Sequence, residues 1–417
     1  MSFHNRGALR ALLLGAGLGS LAPAVAAADP APSYQDLLRQ AVNAPRLKAA
    51  QADISQAEGL ARQARALPNP SFGVAIENFA GDGPYRGARG AETTVSLEQP
   101  LELGGKRQAR IAAGRAGVEV SRARARQTQA DFGLALAEAY GAAEAAEIRL
   151  QLAHDALSLA EDDARVATAL VKAGKEADLR TLQARTAVEA ARSEASEAEA
   201  ARGAALARLA ALVDWPVPLT SVPISLLAHA DRAETIPAVD PMTTPAVIVA
   251  QAEREAISRR VRVERSKAAP DVTVSFGVRQ LRADDAHALV GGISVPFPVF
   301  DRNKGNIAAV SAELTAAEQR LTIARRDAQA DIQSASARLQ ASFGRVKAAR
   351  DGEGAAQEAY RLTRAGYEAG KLPLSEVLAA RRALTDARVQ ALAARQDRLN
   401  AEAELARLAG IAPFGDL

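Results

Sequence analysis

Residues 132–171, FGLALAEAYGAAEAAEIRLQLAHDALSLAEDDARVATALV, carry an apolar seam without a break. Phe132, Leu136, Ala139, Ala143, Ala146, Leu150, Ala153, Leu157, Ala160, Ala164, Ala167 and Val171 step by alternating fours and threes. That is the spacing by which helices supercoil against neighbours. The seam belongs to a helix expected from about Lys106 to Ala173. At about 1.5 Å per residue it would reach on the order of 100 Å, a length that no compact globule needs.

The same helix recurs. At a spacing of 196 positions the seam becomes Ala328, Ile332, Ala335, Leu339, Ser342, Val346, Ala349, Gly352, Ala356, Tyr360, Thr363 and Tyr367. Pro100, Asp131, Ala173-Gly-Lys175 and Arg185 likewise match Pro296, Asp327, Ala369-Gly-Lys371 and Arg381. Upstream the spacing is 200, pairing Pro45, Gln51 and Pro70 with Pro245, Gln251 and Pro270. Downstream it is 199, pairing Leu206-Ala-Arg-Leu-Ala210 with Leu405-Ala-Arg-Leu-Ala409. Self-similarity at a fixed period is the mark of a repeated structural unit. The chain therefore divides into a first repeat at 29–213, a crossover at 214–244 and a second repeat at 245–417. The crossover contains Pro216, Pro218, Pro223, Pro237 and Pro241, and such proline density reads as irregular backbone.

Each repeat has the order helix-strand-strand-helix-helix. A helix is expected over 34–66 with its copy over 245–268. Strands are expected at 71–79, 91–99, 271–281 and 287–297, where apolar residues alternate with small or polar ones. Long helical hairpins follow at 106–212 and 304–409.

The first 28 residues read as a secretory signal: Arg6 and Arg10, an apolar stretch from Ala11 to Leu21, and Ala26-Ala27-Ala28 as the cleavage site. Cysteine is absent, so neither a disulfide framework nor a lipid-acylated cysteine anchor is expected. Beyond the signal no apolar run is long enough for a membrane-spanning helix, which leaves a periplasmic protein or one that crosses a membrane as strands. The 52 basic and 49 acidic residues are interspersed, which argues against a nucleic-acid partner.

Four strands cannot cross a bilayer alone, because open edges leave N–H and C=O groups unpaired in hydrocarbon at several kcal/mol each. Outer-membrane barrels begin at about eight strands, so at least two chains must share one, and three would give twelve. Three sets of long helices would also supply the staves of a hollow tube. A soluble hairpin capping a coiled coil would show similar strand residues, so pattern alone leaves both readings standing.

The duplicated order, the strand-to-helix entries Leu97-Glu-Gln-Pro-Leu-Glu-Leu-Gly-Gly-Lys-Arg107 and Val295-Pro-Phe-Pro-Val-Phe-Asp-Arg-Asn-Lys-Gly305, and the two tips make the chain resemble the TolC-like outer membrane factors. The entries look most similar to the cobalt-zinc-cadmium resistance branch. The resemblance implies a mainly α fold with a small membrane β-barrel: a homotrimer with a twelve-stranded barrel in outer-membrane lipid and a periplasmic tunnel of helices. It implies a passive efflux channel for heavy-metal cations, working with a periplasmic adaptor and an inner-membrane RND pump. The same fold serving drug efflux or type I protein secretion, and a soluble periplasmic coiled-coil scaffold, are the alternatives.

The resemblance assigns adaptor docking to the tips, at Gly174, Lys175, Gly370, Lys371 and Leu372, and a pore gate to Tyr367 and Glu376. Leu372 stands where the drug-efflux member has a gate arginine, and Ala379 where it has a second acid, so that constriction does not carry over whole. No catalytic, cofactor or metal site is expected. Gly105-Lys106 lacks the glycine and the Ser/Thr of a P-loop, since Pro100 and Arg107 stand there, and His4, His154, His229 and His287 are scattered.

Overall fold

The computed structural model describes residues 29–231 and 236–415; the secretory signal expected over 1–28 lies outside them. The chain opens with α1 (Tyr34–Gln40), capped by the Ser33 hydroxyl, which accepts from Asp36 N at 3.1 Å. A 3-10 turn (Ala41–Asn43) then leads to α2 (Pro45–Gln63). The single helix expected over 34–66 is thus broken in two. Pro45 is the cause: the residue before proline is pushed out of the α region, and Ala44 has φ −61° and ψ 138°. Thr244, at φ −62° and ψ 142°, begins α5 (Pro245–Lys267) in the same way.

Four strands, β1 (Ser71–Glu77), β2 (Glu92–Leu101), β3 (Val272–Leu281) and β4 (Ala286–Ser294), form one antiparallel sheet in the order β1-β2-β3-β4. The β2–β3 seam joins the two repeats. The fourth strand stops at Ser294 rather than reaching 297, because Pro296 and Pro298 have no N–H to give to a ladder.

Each sheet-to-helix entry turns on a left-handed residue and is bolted to the helix that precedes the strands. Gly104 (φ +66°) and Gly105 (φ +74°) lead into α3 (Lys106–Lys172). A Cβ on Gly104 would stand 2.5 Å from the Cβ of Ala269, so only glycine lets this turn lie on the end of α5. Arg110 donates to the carbonyls of Ala64 and Ala66, which the end of α2 leaves without helical partners. In the second repeat Asn303 (φ +56°) leads into α6 (Lys304–Glu368) and donates from Nδ2 to Glu264 O at 2.8 Å.

The returning helices are α4 (Leu179–Val213) and α7 (Leu374–Ala409). Toward the tips, α7 packs between α3 and α6, while α4 lies on the far side of α3. Toward the sheet, α2 flanks α3 on one side and α5 on the other, with α6 beyond α5. The helices thus form one curved row rather than a closed bundle. No helix among the described residues is long and apolar enough to cross a membrane.

The main core joins Phe132, Leu136, Tyr140, Leu209 and Leu399 to Tyr34 and Leu37, and also to Leu219, Val222, Leu226 and Leu227. Over its described residues the crossover is irregular, as its prolines suggest, but its stretch from Leu219 to Leu227 is a packed part of the core. Glu144, 5% exposed on α3, accepts from the backbone N–H groups of Leu226 (2.8 Å) and Leu227 (2.9 Å) and from the Ser225 hydroxyl. Glu147 accepts from Val222 N at 3.0 Å, and Tyr140 donates to Ile224 O at 2.8 Å. Farther on, Asp231 pairs with Arg350 on α6 and Arg395 on α7. Side chains on α3 thus supply backbone partners that this irregular segment does not give itself, and α6 and α7 hold its Asp231 by charge.

Candidate functional site: the sheet and the hairpin tips

Pairing across the sheet sorts its side chains by face. One face carries the rows Val74–Val95–Val278–Leu289, Phe72–Leu97–Phe276–Gly291 and Gln99–Val274–Ile293. Phe72, Phe276, Leu289 and Ile293 are 71%, 62%, 73% and 74% exposed. A contiguous apolar patch of this kind marks a membrane or partner surface rather than one that faces water. At about 6.7 Å per two-residue step, the outermost of these three rows lie about 13 Å apart, roughly half the height of the apolar band of an outer-membrane barrel.

The opposite face is polar or small: Gly73–Ser96–Gly277–Val290 and Ala75–Thr94–Arg279–Ala288. Arg279 on this face pairs with Glu77 and Glu92, each at 2.9 Å, and donates to Thr94 Oγ1 at 2.9 Å. This is the arrangement of a wall between lipid and water. Its legible signal was parity: Thr273, Ser275, Gly277 and Arg279 alternate with Val274, Phe276 and Val278. The Arg279 cluster itself was not anticipated. Both outer strands, β1 and β4, have a free edge.

The two tips share one turn. Gly174 (φ +68°) donates to Val171 O at 2.9 Å and Lys175 N to Leu170 O at 2.9 Å; Gly370 (φ +69°) donates to Tyr367 O and Lys371 N to Gly366 O, both at 2.8 Å. This paired 5→2 and 6→1 pattern is the Schellman motif, which needs a left-handed residue where each glycine stands. Gly174, Lys175, Gly370 and Lys371 are exposed. Leu372 is 39% exposed and folds back over Gly366, where an added Cβ would meet Leu372 Cδ1 at 2.7 Å.

The two residues expected to share a gate differ in exposure. Glu376 is exposed in the first turn of α7. Tyr367 is 2% exposed and belongs to a core with Ala167, Ala184, Tyr360, Leu374, Val377 and Leu384, and its hydroxyl has no hydrogen-bond partner there. As a seam residue it packs helices together instead of lining an open surface.

Beside Tyr367 lies a polar group that the sequence did not disclose. Asp163 on α3, 3% exposed, faces Arg381 on α7, 6% exposed, at 3.7 Å, and Tyr360 on α6 donates to Asp163 Oδ1 at 3.4 Å. Asp163 Oδ2 and Arg381 Nη1 make no hydrogen bond. Burial pushes the Asp163 carboxyl above its ordinary pKa, against the opposing pull of Arg381, Arg364 and Tyr360. Among the described residues no group of three or more His, Cys, Asp or Glu is placed to hold a metal ion.

A duplicated row of long helices and a sheet with one apolar face and two free edges can be compared with known families. The model of the outer membrane efflux protein family matches residues 37–213 and 243–411. The chain belongs to that family. Among members of known role it is 40% identical, over 96% of its length and 92% of the relative's, to the nickel-cobalt-cadmium resistance protein NccC of Alcaligenes xylosoxydans xylosoxydans. It is also 40% identical, over 78% of each chain, to the nickel and cobalt resistance protein CnrC of Cupriavidus metallidurans. In fold it is similar to CusC, solved in a study of transmembrane channel formation, with a TM-score of 0.79 at 18% identity over 91% of this chain and 92% of that one. Membership of this family places the protein in the outer membrane and its fold among the efflux channels.

Proposed function

We propose that this outer membrane efflux protein is the channel subunit of a tripartite system, a homotrimer that passes heavy-metal cations from an inner-membrane RND pump and a periplasmic adaptor to the exterior. The observation that carries this reading is the sheet. Its apolar rows face one way, its polar rows the other, and its two edges are free. Water disfavours the exposed apolar band, and hydrocarbon disfavours the open edges. Three copies satisfy both at once, with β4 of each pairing with β1 of the next to close twelve strands. The long helices then line a tunnel continuous with the barrel.

The metal cargo rests on the relatives' roles in nickel, cobalt and cadmium resistance. Gly174, Lys175, Gly370 and Lys371, with the exposed part of Leu372, are the docking points for the adaptor. Three copies of Glu376 around an axis would concentrate negative potential and favour cations; Tyr367 supports this ring from behind by fixing α6 on α7.

The test is the tolerance of a strain lacking this gene to nickel, cobalt, zinc, cadmium and a few drugs, with membranes fractionated in parallel. Lost metal tolerance restored by the gene is expected. A change confined to drugs would overturn the cargo, and recovery in the soluble periplasm would overturn the channel.

A further inference from the structure

The duplication allows the contact between subunits to be read from within one chain. In the row of helices, α3 of the first repeat packs on α7 and α5 of the second. If each helix is replaced by its counterpart in the other repeat, α3 becomes α6, α7 becomes α4 and α5 becomes α2. The contacts then read α6 on α4 and α6 on α2. Neither is among the principal contacts within the chain, and both become available when α6 at one end of the row meets α4 and α2 at the start of another copy.

Two ion pairs on the internal seam test whether the sequence is written for this. Arg407 on α7 reaches Asp131 on α3 at 3.3 Å. The matching positions are Arg208 on α4 and Asp327 on α6, so the charges are retained. Arg124 on α3 reaches Glu253 on α5 at 2.6 Å. The matching positions are Arg320 on α6 and Asp53 on α2, again one base and one acid. All four are exposed, and none has an ion-pair partner among the described residues. Two complementary pairs lie unmet on opposite ends of one row, and charge complementarity of this kind fixes register between partners.

We propose that the seam between the two halves of one chain is repeated between neighbouring copies, with Asp327 of each copy pairing with Arg208 of the next and Arg320 with Asp53 of that same neighbour. The occupant of the open α4 and α2 faces is thus a second copy of this chain, not an adaptor helix. The inference rests on the trimeric reading above and adds to it the register and the residues. It also says where the seams differ: the buried Asp163–Arg381 pair transposes to Ala359 opposite Arg185, so the acid is missing between copies near the tips.

The chain has no cysteine, so introduced thiols act alone. Asp327→Cys with Arg208→Cys, and Arg320→Cys with Asp53→Cys, would be treated in membranes with a short bismaleimide, because an ion pair between long side chains sets the backbones beyond disulfide reach. Each pair is expected to give covalent trimers on a denaturing gel. Each single variant, and Asp327→Cys with Arg185→Cys, displaced by roughly 35 Å along α4, is expected to give monomer. A native trimer without cross-links at either pair would overturn this register and leave the channel standing. Failure of the unaltered chain to form any trimer would overturn both.

Discussion

α4 and α7 hold matching places in the two repeats, yet α7 has twelve buried residues and α4 five. Their sequences do not account for this, since each carries leucines and alanines at seam spacing and one Leu-Ala-Arg-Leu-Ala motif. The difference is the neighbours. α7 has α3 on one side and α6 on the other, whereas among the described residues the principal helical neighbour of α4 is α3 alone. Arg407 on α7 is therefore held by Glu404 and Asp131, which together raise its pKa, while its counterpart Arg208 faces outward. In the trimer proposed above, such exposure in a single chain marks an incomplete ring rather than a solvated surface.

The largest test of this comparison sets Arg381 against Arg185. Arg381→Ala would leave the Asp163 carboxylate buried without its counter-charge and is expected to cost about 3–5 kcal/mol. Arg185→Ala removes no ion pair, since Ala359 rather than an acid stands opposite it in the proposed seam, and should cost less than about 1 kcal/mol. Denaturant unfolding of both variants in detergent measures the contrast, and equal losses would mean that the two returning helices are alike after all. Replacing Asp163 and Arg381 together by leucine and methionine should recover most of the loss, because desolvating a pair that lacks good hydrogen bonds is nearly as costly as its attraction is favourable.

A smaller contrast lies on the helices that span the whole length. Glu144 on α3 holds the crossover, and its counterpart Gln340 on α6 is exposed. Glu144→Ala strands the N–H groups of Leu226 and Leu227 and should cost about 2–3 kcal/mol. Hydrogen exchange at those two amides is expected to accelerate, while Gln340→Ala leaves exchange unchanged. Protection that survives Glu144→Ala would show that burial alone, not the carboxylate, secures the crossover.

These residues also show what the sequence could disclose. The seam from Phe132 to Val171 and the 196-residue spacing were legible because they are periodic, and period is the part of a fold that one sequence displays directly. Pro45 was legible in principle as a helix start, since proline at the first helical position is a known signal. The burial of Leu219, Val222, Leu226 and Leu227 was not, because irregular backbone has no period and its prolines resemble those of a free linker. Glu144 and Asp163 were hidden for a related reason: an acid in a long helix reads as solvated until a third element is known to cover it. Tyr367 stands three residues before a glycine, as the resemblance to a gate tyrosine requires, but it also stands on the seam, and that place accounts for its burial.

The tips should not differ. A Cβ on Gly174 or on Gly370 would meet nothing within 4 Å, so alanine there suffers only from the left-handed backbone, by about 1 kcal/mol at each. Equal falls in stability for Gly174→Ala and Gly370→Ala are expected, with adaptor binding measured separately on the folded variants. A markedly larger fall at one tip would expose a packing difference that the shared hydrogen bonds conceal.

The smallest effect is the response to pH at Asp163, a residual of opposed influences. Burial raises its pKa, Arg381 on α7, Arg364 on α6 and the Tyr360 hydroxyl lower it, and neighbouring Asp162 raises it again. With the net shift upward, the native protein takes up this proton more readily than the unfolded chain, whose carboxyl titrates near the ordinary aspartate value. The contribution of Asp163 to stability is then complete below that ordinary value and is lost as pH rises through the folded one. Acidification from neutrality should therefore raise the melting temperature of the unaltered protein relative to Asp163→Asn, which cannot titrate. A melting temperature of the unaltered protein that falls relative to Asp163→Asn on acidification would mean that Arg381 outweighs burial, and that the pair is a true ion-pair clamp between the repeats rather than a costly buried one.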